Sequence, residues 1–166
     1  MLGIDPGGRA TGYGLVESRG SSLCCLACGA IRPKGTLPER LRGIHRGLVE
    51  VIEGFGPAEV AIEEVFLARN FQSALALGEA RGVALLAAAG SNLAVYEYSA
   101  SEVKKAVAGY GRAEKAQVAA MVRRLLGLAG EEEAPLATDA TDALAVAICH
   151  LNSRGLRALM AAGQPA

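Results

Sequence analysis

Five acidic side chains occupy positions where folding could gather carboxylates, namely Asp5, Glu63, Glu64, Asp139 and Asp142. The first three follow short apolar runs that are typical of buried strands. The last two are three residues apart in a helical pattern, so they share one helix face. Clustered carboxylate oxygens are the ligands of hard divalent cations, and two such ions about 3.5–4 Å apart can activate water for phosphodiester hydrolysis. The acids therefore predict a metal site suited to hydrolysis.

Each acid taken alone also has a purely structural explanation. Asp5 precedes Pro6, Gly7 and Gly8, a turn sequence in which the two glycines are expected to adopt positive φ angles. An aspartate such as Asp139, in the first turn of a helix, complements the helix dipole. The combination of two strand ends with one helix start is what favours a shared site.

The adjacent pair Glu63 and Glu64 contributes at most one side chain to that site. Neighbouring strand residues point to opposite faces, so only one can meet Asp5, and the spacing does not decide which. No serine–histidine or cysteine–histidine arrangement competes, because His45 and His150 lie in helical patterns without a partnered nucleophile.

Hydrophobic periodicity predicts the element order β-β-β-α-β-α-β-α-α-α. This order indicates an α/β protein with a five-stranded mixed sheet, whose first three strands are antiparallel and which is flanked by helices. The 166 residues suit a single domain, 1–166, and the tail from about residue 154 is expected to fray.

The formal charge is zero, yet it is unevenly distributed. Between residues 65 and 124 there are eight basic and four acidic residues, an excess that suits local contact with phosphates.

Small apolar residues nearly encircle a predicted helix between residues 70 and 90. Such a helix is either shared with a second copy of the chain or buried in the core. Its most apolar part, 83–89, is expected to be too short to span a membrane.

Cysteine usage predicts free thiols. Cys25 and Cys28 have the spacing of a metal or redox pair, but strand residues three apart are expected to point to opposite faces. Free thiols, together with a start that shows no secretory signal pattern, predict a cytoplasmic location.

Several motifs closely resemble those of one family, the RuvC crossover junction endodeoxyribonucleases. They are Leu2-Gly3-Ile4-Asp5-Pro6-Gly7, Thr11-Gly12-Tyr13-Gly14, Ala61-Ile62-Glu63-Glu64-Val65-Phe66, Ser73-Ala74-Leu75, Ala80-Arg81-Gly82-Val83, Ala113-Glu114-Lys115 and Asp139-Ala140-Thr141-Asp142-Ala143-Leu144-Ala145. The resemblance runs in register from residue 2 to about 151. It implies a ribonuclease H-like fold and a homodimeric endonuclease that introduces symmetric paired nicks into four-way (Holliday) DNA junctions during recombination and repair.

The resemblance also implies which side chains act. The implied catalytic and metal-binding acids are Asp5, Glu63, Asp139 and Asp142. The match thus selects Glu63 over Glu64. The implied cofactor is Mg²⁺ or Mn²⁺, with two ions per site.

Implied contacts with DNA surround these acids. Lys104 and Lys115 match family lysines near the scissile phosphate, and Phe66 matches an aromatic that stacks on an unpaired base. The other expected DNA contacts are Arg69, Asn70, Phe71, Lys105 and Arg112. Phe71 departs from the family pattern of a small residue there, and either widens the stacking wedge or packs the loop. The implied partners are a four-way junction, a second copy of the chain and a branch-migration helicase complex, with no membrane.

Three other functions stay open as alternatives. A junction-binding scaffold with a decayed site is disfavoured because all four acids are present. An ATPase of the actin and sugar-kinase type needs a duplicated domain, for which the chain leaves no room. A ribonuclease H-like nuclease that acts on RNA or flaps is disfavoured only by the resemblance.

Overall fold

The computed structural model describes residues 1–64, 71–128 and 136–162, and residues 155–162 by their backbone alone. The elements are β1 (Leu2–Asp5), β2 (Thr11–Arg19), β3 (Ser22–Ile31), α1 (Leu37–Phe55), β4 (Glu59–Glu63), α2 (Phe71–Gly90), β5 (Ala94–Tyr98), α3 (Ala100–Ala108), α4 (Lys115–Leu125) and α5 (Thr138–Ala162). The predicted element order is confirmed.

The five strands form one mixed sheet in the order β3-β2-β1-β4-β5. β1 pairs antiparallel with β2, and β2 pairs antiparallel with β3. β4 runs parallel to both β1 and β5. The predicted fold class is therefore confirmed, and the carboxyl ends of β1, β3, β4 and β5 lie at one end of the sheet.

Helices cover both faces of this sheet, and each face has its own buried cluster. Leu2 and Ile4 of β1 pack with Val60 and Ile62 of β4 against α1 and α2. Ala61, which points the other way, packs with α3, α4 and α5. Strand alternation therefore sorts these side chains between the two helical layers.

Helix α5 lies directly on the backbone of the central strands. A Cβ placed on Gly3 would overlap the carbonyl oxygen of Ala143, and one placed on Gly12 would overlap that of Asp139. Glycine is needed at both positions because any side chain would push the helix away. Residues 143–150 are buried as a result of this close approach.

The glycines after Asp5 differ from the expectation. Gly7 and Gly8 are not among the described glycines with positive φ, so the prediction that they supply a left-handed turn is wrong. A Cβ on Gly7 would instead overlap the carbonyl oxygen of Ala10. The requirement for glycine at Gly7 comes from this tight backbone approach.

The placement of Cys25 and Cys28 also differs from the expectation of opposite faces. A bulge shifts the register so that Leu15 pairs with Ala27 while Val16 pairs with Cys25. The extra residue inverts the alternation, so both thiols pack against the same cluster. Burial, followed by the neighbouring Cys28, raises the pKa of Cys25 to about 12. Both cysteines are free thiols.

Helix α2 is longer than the apolar run 83–89 suggested. It has 20 residues, and within the described residues it is the one helix with the length and composition of a membrane span. The expectation of a stretch too short to span was therefore wrong, because the helical pattern extends well before residue 83. Four alanines of this helix are buried, namely Ala80, Ala84, Ala87 and Ala88. Of the most apolar 18-residue window of the helix, only 22% is buried inside the protein.

The last helix also continues beyond residue 154. Its backbone is helical to Ala162, and fraying of the tail from about residue 154 stays a prediction from the sequence. The segment after Arg154 contains the strong helix formers Leu, Arg, Ala and Met, whose propensity favours this continuation.

Candidate active site

Two adjacent strands each end in a carboxylate at the same end of the sheet. The parallel pairs Leu2–Val60 and Ile4–Ile62 put Asp5 and Glu63 at equivalent positions of β1 and β4. Because Leu2, Ile4, Val60 and Ile62 face α1 and α2, Asp5 and Glu63 point to the opposite face. Glu64, the next residue, follows the same alternation and is therefore directed away from the face of Asp5 and Glu63.

Helix α5 brings two more carboxylates to that face. It begins at Thr138, so Asp139 lies in its first turn and Asp142 one turn further along. The absence of a side chain at Gly12 lets the first turn contact β2, directly beside the end of β1. Thr141 donates a hydrogen bond to the carbonyl of Ala137 over 3.1 Å and thereby closes the first turn.

The turn that follows Asp5 is held by a buried threonine. The Thr11 hydroxyl donates to the carbonyl of Gly7 over 3.1 Å and accepts a longer bond of 3.4 Å from its N–H. Thr11 is fully buried, and these two bonds satisfy its hydroxyl group away from water. This pair fixes the chain reversal immediately beyond the carboxylate.

The carboxylates influence each other strongly. Burial, then the charges of Asp142 and Glu63, raises the pKa of Asp5 from 3.8 to about 7, and Asp139 adds to this rise. Burial also raises the pKa of Glu63 above its ordinary value, and Asp142 acts in the same direction. The other three expected acids therefore lie within electrostatic reach of Asp5.

Two lysines flank the acids. Glu63 and Asp142 share with Lys104 and Lys115 the wall of a cavity of about 170 Å³. Lys115 Nζ lies 2.6 Å from Asp142 Oδ2, and this hydrogen bond raises the pKa of the lysine. Both lysines lower the pKa of Glu63 and so favour its charged form. The cavity thus combines carboxylates with cations that can face a phosphate.

A further cation, Arg32, was not among the expected site residues. Its Nη2 lies 2.7 Å from Asp139 Oδ2. Arg32 directly follows β3, whose last residue Ile31 pairs with Thr11, so it emerges at the same end of the sheet as Asp5. The predicted antiparallel order of the first three strands was a signal that could have located it.

The other expected DNA contacts that the structure describes do not line this cavity. Phe71 is 81% exposed at the start of α2, and the loop before it, which it was expected either to pack or to extend as a wedge, lies outside the described residues. Lys105 on α3 and Arg112 before α4 are exposed. Phe66, Arg69 and Asn70 lie outside the described residues.

The four carboxylates suit a divalent cation, because carboxylate oxygens are the ligands that such ions prefer. A dication would also relieve the electrostatic repulsion that raises the pKa of Asp5. In the present arrangement Asp139 pairs with Arg32 and Asp142 with Lys115. Within residues 1–64, 71–128 and 136–162 no three Asp, Glu, His or Cys side chains already stand in ligand geometry. An ion therefore has to compete with these two protein cations.

A mixed sheet in the order β3-β2-β1-β4-β5, with acids at the ends of β1 and β4 and on the last helix, defines the class of ribonuclease H-like nucleases. A family model described as crossover junction endodeoxyribonuclease RuvC matches residues 1–150. The chain belongs to this RuvC family. It is therefore an endonuclease of the class that resolves Holliday junctions in recombination and repair.

Individual relatives agree with that assignment. The chain is 51% identical over 162 residues to the crossover junction endodeoxyribonuclease RuvC of Geobacter sp. (strain M21), covering 96% of each chain. It is 52% identical to the protein of the same description from Citrifermentans bemidjiense, again covering 96% of each. Among solved structures, Thermus thermophilus RuvC in complex with a Holliday junction substrate superposes with a TM-score of 0.87 at 37% identity, covering 94% of each chain.

Proposed function

We propose that Asp5, Glu63, Asp139 and Asp142 form the catalytic site of this junction endonuclease. The observation that carries the proposal is the convergence of acids from β1, β4 and α5 on one sheet face, close enough to raise the pKa of Asp5 to about 7. Perturbed carboxylates gathered at the carboxyl end of a sheet are typical of functional sites.

The four acids would hold Mg²⁺ or Mn²⁺, and their number suits two ions. Ions held by these acids would supply a water of lowered pKa and stabilisation for the leaving oxygen of a phosphodiester. Lys115 and Lys104 line the same cavity and offset the charge of the phosphate. The ion pair between Lys115 and Asp142 keeps both side chains directed into the cavity before DNA binds.

Symmetric nicks on two strands require two sites, and one face of α2 suits a homodimer interface. Leu75 and Leu86 are 53% and 61% exposed, and Gly78 and Gly82 lie between them on the same helical face. A Cβ on either glycine would meet nothing within 4 Å, so a second helix can approach closely there. Burial of this apolar face against its copy removes it from water.

Several further roles belong to the same proposal. Phe71 projects from the start of α2 and stacks on a base at the crossover, and Lys105 and Arg112 contact phosphates nearby. Phe66, Arg69 and Asn70 stay predictions from the sequence. A branch-migration helicase complex is the proposed partner, and the cytoplasm is the proposed location.

The direct test is cleavage of an end-labelled four-way junction with Mg²⁺, Mn²⁺ or EDTA. We expect paired symmetric nicks that need the metal, are lost in Asp5→Asn and persist in the matched control Glu64→Gln. Linear duplex and a flap are the comparison substrates. Equal cutting of all three substrates would contradict junction specificity, and full activity of Asp5→Asn would contradict the proposed site.

A further inference from the structure

A basic cleft lies beside the acidic site, between the β3–α1 connection and the first turns of α1. Its volume is about 580 Å³. Its charged lining consists of Arg32, Lys34, Arg42, Arg46 and Glu39. We use the name basic cleft for the space lined by these residues. Four cations and one carboxylate give it a strong positive balance although the chain as a whole is neutral.

Two of the four cations have no ion-pair partner among the described residues, and a third has only an exposed one. The carboxylate of Glu39 accepts bonds from the N–H and hydroxyl of Thr36, at 2.7 and 2.8 Å, and so belongs to the capping box of α1. Lys34 and Arg42 form no ion pair within the described part of the chain. Arg46 meets Glu50 at 3.5 Å, with both side chains largely exposed, so this pair contributes little.

The basic cleft is continuous with the acidic site through one side chain. Arg32 lines the cleft and at the same time contacts Asp139 over 2.7 Å. A second cavity, of about 450 Å³, shares Arg32 and Arg46 and continues along α1 to Phe55. Arg42 and Arg46 are four residues apart and therefore face the same groove. A positively charged surface thus leads away from the carboxylates.

We propose that the basic cleft binds the sugar-phosphate backbone of one duplex arm of the junction, adjacent to the strand held at the acidic site. This inference rests on the proposed function, because it requires a nucleic acid at the carboxylates. An arm that leaves the acids meets this surface next, and its phosphates exchange their counterions for the four protein cations. The contact reads no sequence, because cations that meet phosphates carry no base information.

The test compares two double variants that each remove two positive charges from exposed positions. Lys34→Ala with Arg42→Ala removes cations of the basic cleft. Arg19→Ala with Arg154→Ala is the matched control, because Arg19 lies at the far end of β2 and Arg154 contacts Glu59 at the start of β4. Binding of the full-length protein to a labelled junction is measured in EDTA, which prevents cleavage, from 50 to 200 mM salt.

Two lost phosphate contacts reduce the slope of log K against log salt by about 1.8. Over this fourfold salt range, the wild-type affinity should therefore fall about 12-fold more than that of the cleft variant. The control should keep the wild-type slope. A cleft variant with the wild-type slope, or a control with the same loss, would overturn the proposal.

Failure of this inference is distinguishable from failure of the proposed function. Metal-dependent cleavage by the wild type, measured in parallel, tests the acidic site alone. Wild-type cleavage with an unchanged salt slope in the cleft variant refutes only the cleft, whereas absence of wild-type cleavage refutes the proposed site. The double variant Lys34→Gln with Arg42→Gln repeats the measurement with side chains longer than alanine. It separates the effect of lost charge from the effect of lost side-chain packing.

Discussion

Removal of the Asp5 charge should stabilise the chain at alkaline pH while it abolishes cleavage. Burial and three neighbouring carboxylates raise the pKa of this group from 3.8 to about 7, so the fold disfavours its charged form. The protonated carboxyl is tolerated, and its contribution to stability is complete below about pH 4. That contribution is lost as pH rises towards and through 7, when the folded protein must accept the charge. The side-chain amide of the variant Asp5→Asn carries no charge at any of these pH values.

The size of the effect follows from the change in pKa. One pKa step is worth about 1.4 kcal/mol, so a rise from 3.8 to about 7 corresponds to about 4 kcal/mol at pH 8. The raised pKa of Glu63, which burial and Asp142 cause, acts in the same direction in the wild type and in the variant, so it leaves the difference between them unchanged. We therefore expect the free energy of unfolding of Asp5→Asn, relative to wild type, to increase by about 3–4 kcal/mol between pH 4.5 and pH 8.

The assay is urea unfolding in EDTA at several pH values across that range, with the exposed substitution Glu53→Gln on α1 as the control. Added Mg²⁺ should narrow this difference, because an ion at 100 times its Kd stabilises the wild type by about 2.7 kcal/mol and the variant by much less. A difference between wild type and Asp5→Asn that does not change with pH would refute the reasoning. So would a variant that is less stable than wild type at pH 8 without metal.

Three further predictions, two of them with a control substitution, test the same architecture. Glu63→Gln should lower the rate of junction cleavage about 100-fold or more through weaker metal binding, whereas Glu64→Gln should not. Equal losses of rate in the two variants would contradict the assignment of Glu63, and not Glu64, to the sheet face of the acidic site. Gly12→Ala should destabilise the fold by about 1–3 kcal/mol in urea unfolding, because its Cβ would overlap α5. Gly54→Ala, where a Cβ meets nothing within 4 Å, should instead stabilise it by about 0.5–1 kcal/mol. Phe71→Ala should weaken junction binding by about 1–3 kcal/mol and leave duplex binding unchanged. Fluorescence anisotropy with labelled DNA measures both affinities. An equal loss of affinity for both DNAs would exclude base stacking.

Local patterns in the sequence determined the elements and the two strand-end acids. Apolar runs and helical periodicity are properties of neighbouring residues, so the element order, the mixed sheet and the positions of Asp5 and Glu63 could be predicted directly. The capping box that Ser99 and Glu102 form at the start of α3 is equally local, because it joins residues three positions apart. The choice of Glu63 over Glu64 came from the family resemblance. Strand alternation in the folded sheet provides an independent reason for it.

Other features depended on how distant segments meet. Gly3 and Gly12 let α5 contact the sheet, and this contact brings Asp139 and Asp142 to Asp5. The contact depends on packing between residues more than a hundred positions apart. The ion pair of Arg32 with Asp139 has the same origin, since it joins the end of β3 to the start of α5. The bulge in β3 reversed the faces expected for its cysteines, because one extra residue changes a period-two pattern without leaving a mark in composition. Sequence alone determined which residues end the strands, and tertiary structure decided which charges meet there, because electrostatic contact depends on distance in space and not on spacing along the chain.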